Sequence, residues 1–338
     1  MKPRILIMGQ LYWAEKDCQE LLNPVADIVH MQSRSREELF ADLAEGGRYS
    51  DIVGVYHEHL SAERVGHPDE AMINALPKSC RWFAHKGAGY DSVAVHAAKA
   101  RGEQVLLRVG VSNTPGAVDE ATATTAVFLL IATVRRFSAC EAHLRAGGFT
   151  PMPAVESSAH DLSGRTIGIL GMGGIGRRIV DYIRPFGMTM MYHNRRPSPV
   201  APEDVTYCSD LYELLASVDV LMISIPLSAA TRGFIGEKEI RHMKKGSIIV
   251  NTARGPVVDE EAMIGALQDG HLGSVGLDVF VKEPKVDQRL IDMPNVTLLP
   301  HVGTENQDAR RKMEVLALTN LRDYIVKGVG PNLVPECS

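Results

Sequence analysis

Short apolar runs separated by amphipathic stretches of helical spacing pattern this chain from its N-terminus to about residue 300. Runs so brief and continuous suit strands covered on both faces, and helices between them demand parallel sheets. Residues 4–8, 28–31, 52–56, 82–85 and 105–109 form one such series. A second series follows at 166–170, 188–192, 220–225, 247–250, 274–279 and 296–299. Between the two, residues 119–136 are a helix rich in Ala, Val, Phe, Leu and Ile with little polar face, which must therefore be buried, in a crossing segment and in a subunit interface. The stretch 147–164 is a loop, and 307–327 is a long C-terminal helix able to return to the first series. The expected fold class is α/β, with two doubly wound parallel-sheet domains.

One junction in the second series carries chemistry. The run 166–170 leads directly into Gly171-Met-Gly173-Gly174-Ile175-Gly176, and helix-forming residues continue to Phe186. A strand, a glycine turn and a helix in succession give G-x-G-x-x-G the context of a dinucleotide cradle rather than a plain turn. Gly171 permits the tight turn, Gly173 lets a pyrophosphate approach the backbone, and Gly176 lets the helix pack on the strand. In the NAD version a carboxylate about 20 residues downstream meets the ribose hydroxyls. Here the second strand ends in His193-Asn194-Arg195-Arg196, with no acid between Asp181 and Glu203. Two guanidinium groups suit a 2'-phosphate, so NADP(H) is the expected cofactor and NAD(H) the alternative.

Composition narrows the partners. The chain has 338 residues, 45% hydrophobic and 23% charged, with a net charge of -5, and its basic residues are not gathered in a patch. A nucleic-acid partner is not expected, and a small-molecule substrate is. Cys18, Cys80, Cys140, Cys208 and Cys337 are odd in number and lack C-x-x-C spacing, which argues against a disulfide framework or zinc site. His57-Glu58-His59, with His85, is the nearest approach to a metal motif, but lacks an acidic ligand cluster, so no metal is expected. The sequence starts a strand almost at once and carries no signal, membrane-spanning or lipidation pattern, so a cytosolic protein is expected.

Three further strand ends carry polar residues: Arg254 after Asn251-Thr252-Ala253, Asp278 and Glu283 after 274–279, and His301 after Pro300. Strand ends of a doubly wound sheet converge on one crevice. A guanidinium fork, a proton donor and an anion to keep the donor charged are what reduction of a 2-oxo acid needs beside a nicotinamide. In the first series, Lys86-Gly87-Ala88-Gly89-Tyr90-Asp91 follows a strand; its glycines either shape a turn or let backbone N–H groups hold a carboxylate.

Together these stretches, with Asn113-Thr-Pro-Gly116, Gly276-Leu-Asp-Val-Phe280 and Glu283-Pro284, resemble the D-2-hydroxyacid dehydrogenase family over nearly the whole chain. The Arg195-Arg196 turn looks like its NADP-dependent glyoxylate and hydroxypyruvate reductase branch, in wording most like fungal members. The resemblance implies a flavodoxin-like substrate domain of residues 1–116 plus 307–338, a Rossmann domain of 117–306, and a homodimer through the second domain. It implies that Arg254 binds substrate, that Glu283 pairs with His301, and that His301 is the general acid in reduction. The backbone of Ala88 and Gly89 would add donors to the substrate carboxylate. Residues expected around the cofactor are Gly171, Gly173, Gly174, Ile175, Gly176, Asn194, Arg195, Arg196, Ile225, Pro226, Thr231, Thr252, Ala253, Arg254, Asp278, His301 and Gly303. Two other readings stand beside this one: a dehydrogenase for bulkier aromatic or branched oxo acids of the D-mandelate kind, and a non-catalytic nucleotide-sensing protein on the same fold.

Overall fold

A computed structural model describes residues 2–104, 108–150 and 152–337. The chain divides into two compact units, Met1–Val118 with Asn306–Ser338, and Asp119–Glu305.

In the first unit the strands are β1 (Arg4–Met8), β2 (Asp27–His30), β3 (Ile52–His57), β4 (Trp82–His85) and β5 (Gly110–Ser112). They pair in parallel in the order β2-β1-β3-β4-β5, the flavodoxin-like arrangement. The strand expected at 105–109 lies partly outside the described residues, and β5 begins after it. Period-two alternation divides the side chains between two cores. Leu6, Met8, Val55 and Phe83 pack with Leu39, Leu43, Met72 and Ile73 on one face. Ile5, Ile7, Tyr56 and Trp82 pack with Ala317, Leu318 and Leu321 of the helix Gln307–Lys327 on the other. Burying each large apolar side chain contributes about 1.5–3 kcal/mol, which secures the C-terminal helix to this sheet.

That helix also carries a buried acid. Glu314 is fully buried, and its carboxylate accepts hydrogen bonds from the backbone N–H groups of Tyr12 (3.3 Å), Trp13 (2.9 Å) and Ala14 (2.9 Å). The buried Lys86 ammonium lies 3.4 Å from Glu314 and 3.6 Å from the equally buried Glu58, so one buried cation is shared by two buried carboxylates.

In the second unit the strands are β6 (Thr166–Leu170), β7 (Thr189–His193), β8 (Thr206–Cys208), β9 (Val220–Ile223), β10 (Ser247–Asn251), β11 (Leu272–Leu277) and β12 (Val296–Leu298). Their order is β12-β11-β10-β9-β6-β7-β8, all parallel. The strand order reverses between β6 and β9, the switch point at which ligands bind in such sheets. β8 is too short and too exposed to stand out as an apolar run. The helix Asp119–Val134 buries most of one side, including Leu129, Leu130 and Val134, but leaves Phe128 half exposed. Among the described residues no single helix is long and apolar enough to cross a membrane.

Candidate active site

The glycine turn leaves β6 at the switch point. Gly171 has φ of +104°, where a side chain is strained, and a Cβ there would lie 2.5 Å from the Ser224 carbonyl oxygen. The helix Gly174–Ile183 then begins at Gly173 with no side-chain cap, so amides of its first turn remain for an external acceptor. A Cβ on Gly173 would meet nothing within 4 Å, which leaves the space over the turn open. Uncapped amides, a glycine backbone and open space fit a dinucleotide pyrophosphate. The half-buried Asp119 carboxylate stands against Gly174, and burial raises its pKa.

The arginine turn is bolted to the glycine turn through Met172 and Gly171. Asn194 Oδ1 accepts from the Met172 amide (2.8 Å), Ser198 Oγ donates to the Met172 carbonyl (2.7 Å), and the Gly171 amide donates to the His193 carbonyl (3.1 Å). Arg195 and Arg196 are exposed, and neither guanidinium meets a carboxylate among the described residues. Asn194 Oδ1 is thus committed to the glycine turn; Ser198 was not anticipated, since a serine among prolines carries no signal.

Ile225 and Pro226 follow β9, where Thr231 closes the turn by donating to the Pro226 carbonyl (2.6 Å). Beyond β10, Asn251 brackets the next turn: its side chain accepts from the Ala253 amide and donates to the Arg254 carbonyl, both at 3.0 Å. Arg254 Nη1 donates to the Ala253 carbonyl (2.8 Å), and Thr252 is buried beneath. The following Gly255 packs on the backbone of Phe280, 2.0 Å from where its Cβ would be, so the Arg254 turn and the β11 end touch without an intervening side chain.

The β11 end supplies two carboxylates. Asp278 is buried, and its oxygens accept from the amides of Val302 (2.7 Å) and Gly303 (2.8 Å). Burial pushes its carboxyl above the usual range, against the pull of those amides. The two bonds hold the turn in which His301 sits at φ +55°, a left-handed conformation that costs a non-glycine residue about 1–2 kcal/mol. Glu283 Oε1 accepts from the Phe280 amide (2.9 Å), and Glu283 Oε2 lies 2.7 Å from His301 Nδ1. Burial pushes the Glu283 carboxyl up, but the hydrogen bonds from His301 and Phe280 and the charges of His301 and Arg254 outweigh it and hold it below the usual range. With Nδ1 donating to Glu283, the partly exposed imidazole keeps Nε2 for proton transfer. The second unit therefore brings Arg254, Glu283 and His301 to one sheet edge, while Asp278 serves as a brace for the histidine turn.

In the first unit the turn after β4 has its carbonyls tied and its amides spared. The carbonyl oxygens of Gly87, Ala88 and Gly89 accept from the Thr114 amide (3.0 Å), Asn113 Nδ2 (2.7 Å) and His85 Nε2 (3.0 Å), respectively. Among the described residues the amides of Ala88, Gly89 and Tyr90 have no partner. A trans peptide points its N–H opposite to its C=O, so three pinned carbonyls fix the directions of three unpaired donors.

Residues 127–303 match the model of the D-isomer specific 2-hydroxyacid dehydrogenase NAD binding domain. The chain is 41% identical over 335 residues to 4-methyl-2-oxopentanoate reductase A of Aspergillus oryzae, covering 99% of this chain and 98% of that protein. The crystal structure of a glyoxylate reductase from Paecilomyes thermophila superposes with a TM-score of 0.90 at 39% identity, over 100% of this chain and 99% of that one. An NADPH-dependent glyoxylate/hydroxypyruvate reductase from Sinorhizobium meliloti gives 0.82 at 31% identity, over 99% of both chains. The sheets, the glycine turn and these matches agree: the chain belongs to the D-2-hydroxyacid dehydrogenase family of NAD(P)-dependent oxidoreductases.

Proposed function

We propose that the protein reduces small 2-oxo acids of the glyoxylate and hydroxypyruvate type to D-2-hydroxy acids, with NADPH as the preferred reductant. The observation that carries this reading is the 2.7 Å bond between Glu283 and His301 Nδ1, which leaves Nε2 as the proton-bearing atom on the unit that also holds Arg254. When bound, the reduced nicotinamide supplies a hydride to C2 of the oxo acid. The Arg254 guanidinium holds the substrate carboxylate and polarises its carbonyl. His301 gives its Nε2 proton to the developing alkoxide, and Glu283 stabilises the imidazolium before transfer. Ala88 and Gly89 add backbone donors to the carboxylate. The Gly171–Gly176 turn receives the pyrophosphate, Arg195 and Arg196 the 2'-phosphate, and the Thr252, Ala253 and Asp278 region adjoins the nicotinamide end.

A second reading is favoured by the 41% identity to a reductase of 4-methyl-2-oxopentanoate, a branched substrate. Initial rates with glyoxylate, hydroxypyruvate and 4-methyl-2-oxopentanoate, each with NADPH and NADH, decide between them. Highest kcat/KM on the branched acid replaces the first reading by the second. A lack of turnover on all three favours a nucleotide-sensing binder.

The homodimer reading draws support from the second unit's apolar surface. Phe128, Phe137, Leu144 and Phe149 are 46–77% exposed on the helix Asp119–Val134, the helix Phe137–Arg145 and the segment after it. A second copy would cover them, and a monodisperse monomer in light scattering would overturn this reading.

A further inference from the structure

Two histidines beneath the Gly87–Gly89 turn are used by nothing in the mechanism. His57 at the end of β3 and His85 at the end of β4 are both buried, and their Nδ1 atoms lie 2.9 Å apart. The second nitrogen of His85 lies 3.0 Å from the Gly89 carbonyl oxygen, and His57 Nε2 is buried without a partner. These distances determine where the protons are. A carbonyl oxygen only accepts, so His85 must carry its proton on Nε2. The short Nδ1–Nδ1 approach needs one proton between the rings. A proton on His57 Nε2 would meet no acceptor, so the bridging proton belongs to His57 Nδ1, and His57 then faces its unpartnered side with a lone pair rather than with an unsatisfied N–H. Burial, and then the neighbouring His85, His59 and His67, push the His57 pKa well below its ordinary value, so this ring stays neutral.

We propose that His57 and His85 form a tautomer-setting relay: His57 Nδ1–H donates to His85 Nδ1, which commits His85 Nε2–H to the Gly89 carbonyl and so aims the Gly89–Tyr90 peptide. Both histidines are positioning residues for the carboxylate-binding turn. The pinned peptide carries the Tyr90 amide and fixes the C-terminal side of the turn whose Ala88 and Gly89 amides receive the substrate carboxylate in the proposed function, on which this role rests. Sequence spacing could not have paired them, because they lie 28 residues apart on adjacent strands. Without His57, the other tautomer of His85 becomes accessible, and its Nε2 lone pair would then oppose the carbonyl oxygen. The loop contact would become a repulsion although His85 is unchanged.

The test compares wild type, His85→Phe, His85→Gln, His57→Phe and the double Phe variant, with glyoxylate varied at saturating NADPH and NADPH varied at saturating glyoxylate. A carboxylate contact made equally in ground and transition states is read in KM. His85→Phe should raise KM for glyoxylate about tenfold with a smaller change in kcat and an unaltered KM for NADPH, and His85→Gln should recover part of the loss through its own N–H donor. The double variant should be no worse than His85→Phe, since the relay acts through one bond. A KM for His85→Phe within about twofold of wild type, or additive effects in the double variant, overturns the relay. Wild-type failure on every oxo acid would instead sink the functional reading. Nitrogen-15 NMR of the histidine rings in the unmutated protein decides the relay even if the variants do not fold: Nε2–H at His85 is expected, and Nδ1–H would refute it.

Discussion

Replacing Asp278 by alanine should damage both stability and catalysis, because one carboxylate supports the whole histidine turn. The substitution leaves the Val302 and Gly303 amides without acceptors. An unsatisfied buried donor costs about 1–3 kcal/mol, so two give about 2–6. Part of this is offset: burial disfavours the ionised carboxyl, and the His301 backbone is freed from its left-handed conformation. A net loss of about 3 kcal/mol is expected, and for a unit of this size that lowers its melting temperature by about 6–12 °C. Release of the turn also lets His301 leave Glu283, so kcat/KM for oxo-acid reduction should fall about a hundredfold, as when a general acid is misplaced. Asp278→Asn keeps one acceptor oxygen but turns an NH2 group toward the second amide, and should fall between. Scanning fluorimetry with initial rates measures both quantities. An alanine variant melting within about 2 °C of wild type, with kcat/KM within about threefold, would refute the bracing role.

Glu283→Gln replaces the carboxylate that holds His301 Nδ1 by a neutral amide and should lower kcat/KM for reduction about tenfold or more; a value within about twofold of wild type would separate Glu283 from proton transfer. The Glu283 carboxyl is held below its ordinary value, so its stabilising contribution is complete above about pH 4.5 and is lost as pH falls through the lower folded value. The melting-temperature gap between wild type and Glu283→Gln should accordingly shrink on acidification from that pH. Glu314→Ala strips the acceptor from three amides and one of two partners from Lys86, and should cost about 3–5 kcal/mol in denaturant unfolding; a cost below about 1 kcal/mol would show the cluster to be solvated. Arg195→Ala with Arg196→Ala should raise KM for NADPH about tenfold or more while leaving KM for NADH nearly unchanged, and equal effects on both would remove the 2'-phosphate assignment.

The parallel strands were legible because burial on both faces demands continuous apolar runs, and β1, β4 and β6 have the bounds their sequence suggests. β8 was not, since three residues with one buried side chain make no run. The helix after the glycine turn was expected to reach Phe186, but its α-helical part ends at Ile183 and a 3-10 turn containing Pro185 follows. Arg254, Glu283 and His301 were visible as polar residues past strand ends. Partnerships made at a distance were not. Glu314 reads as one more acid on a long charged helix, yet it is fully buried and lies 300–302 residues from the amides it caps. Asp278 similarly reads as a carboxylate for a ligand, while its hydrogen bonds run to the backbone after His301.

The double grip on Met172 separates what is constant in this site from what is free to vary. The glycine turn is supported by Asn194 Oδ1 and Ser198 Oγ, on either side of the two arginines, and by no atom of the arginines themselves. Exchanging Arg195 and Arg196 for acidic residues would therefore change which adenosine ribose is recognised without loosening the pyrophosphate cradle. On the proposed 2'-phosphate assignment, coenzyme preference is in this sense an interchangeable insert of two positions, one that mutation would rewrite in either direction while the hydride chemistry is left intact.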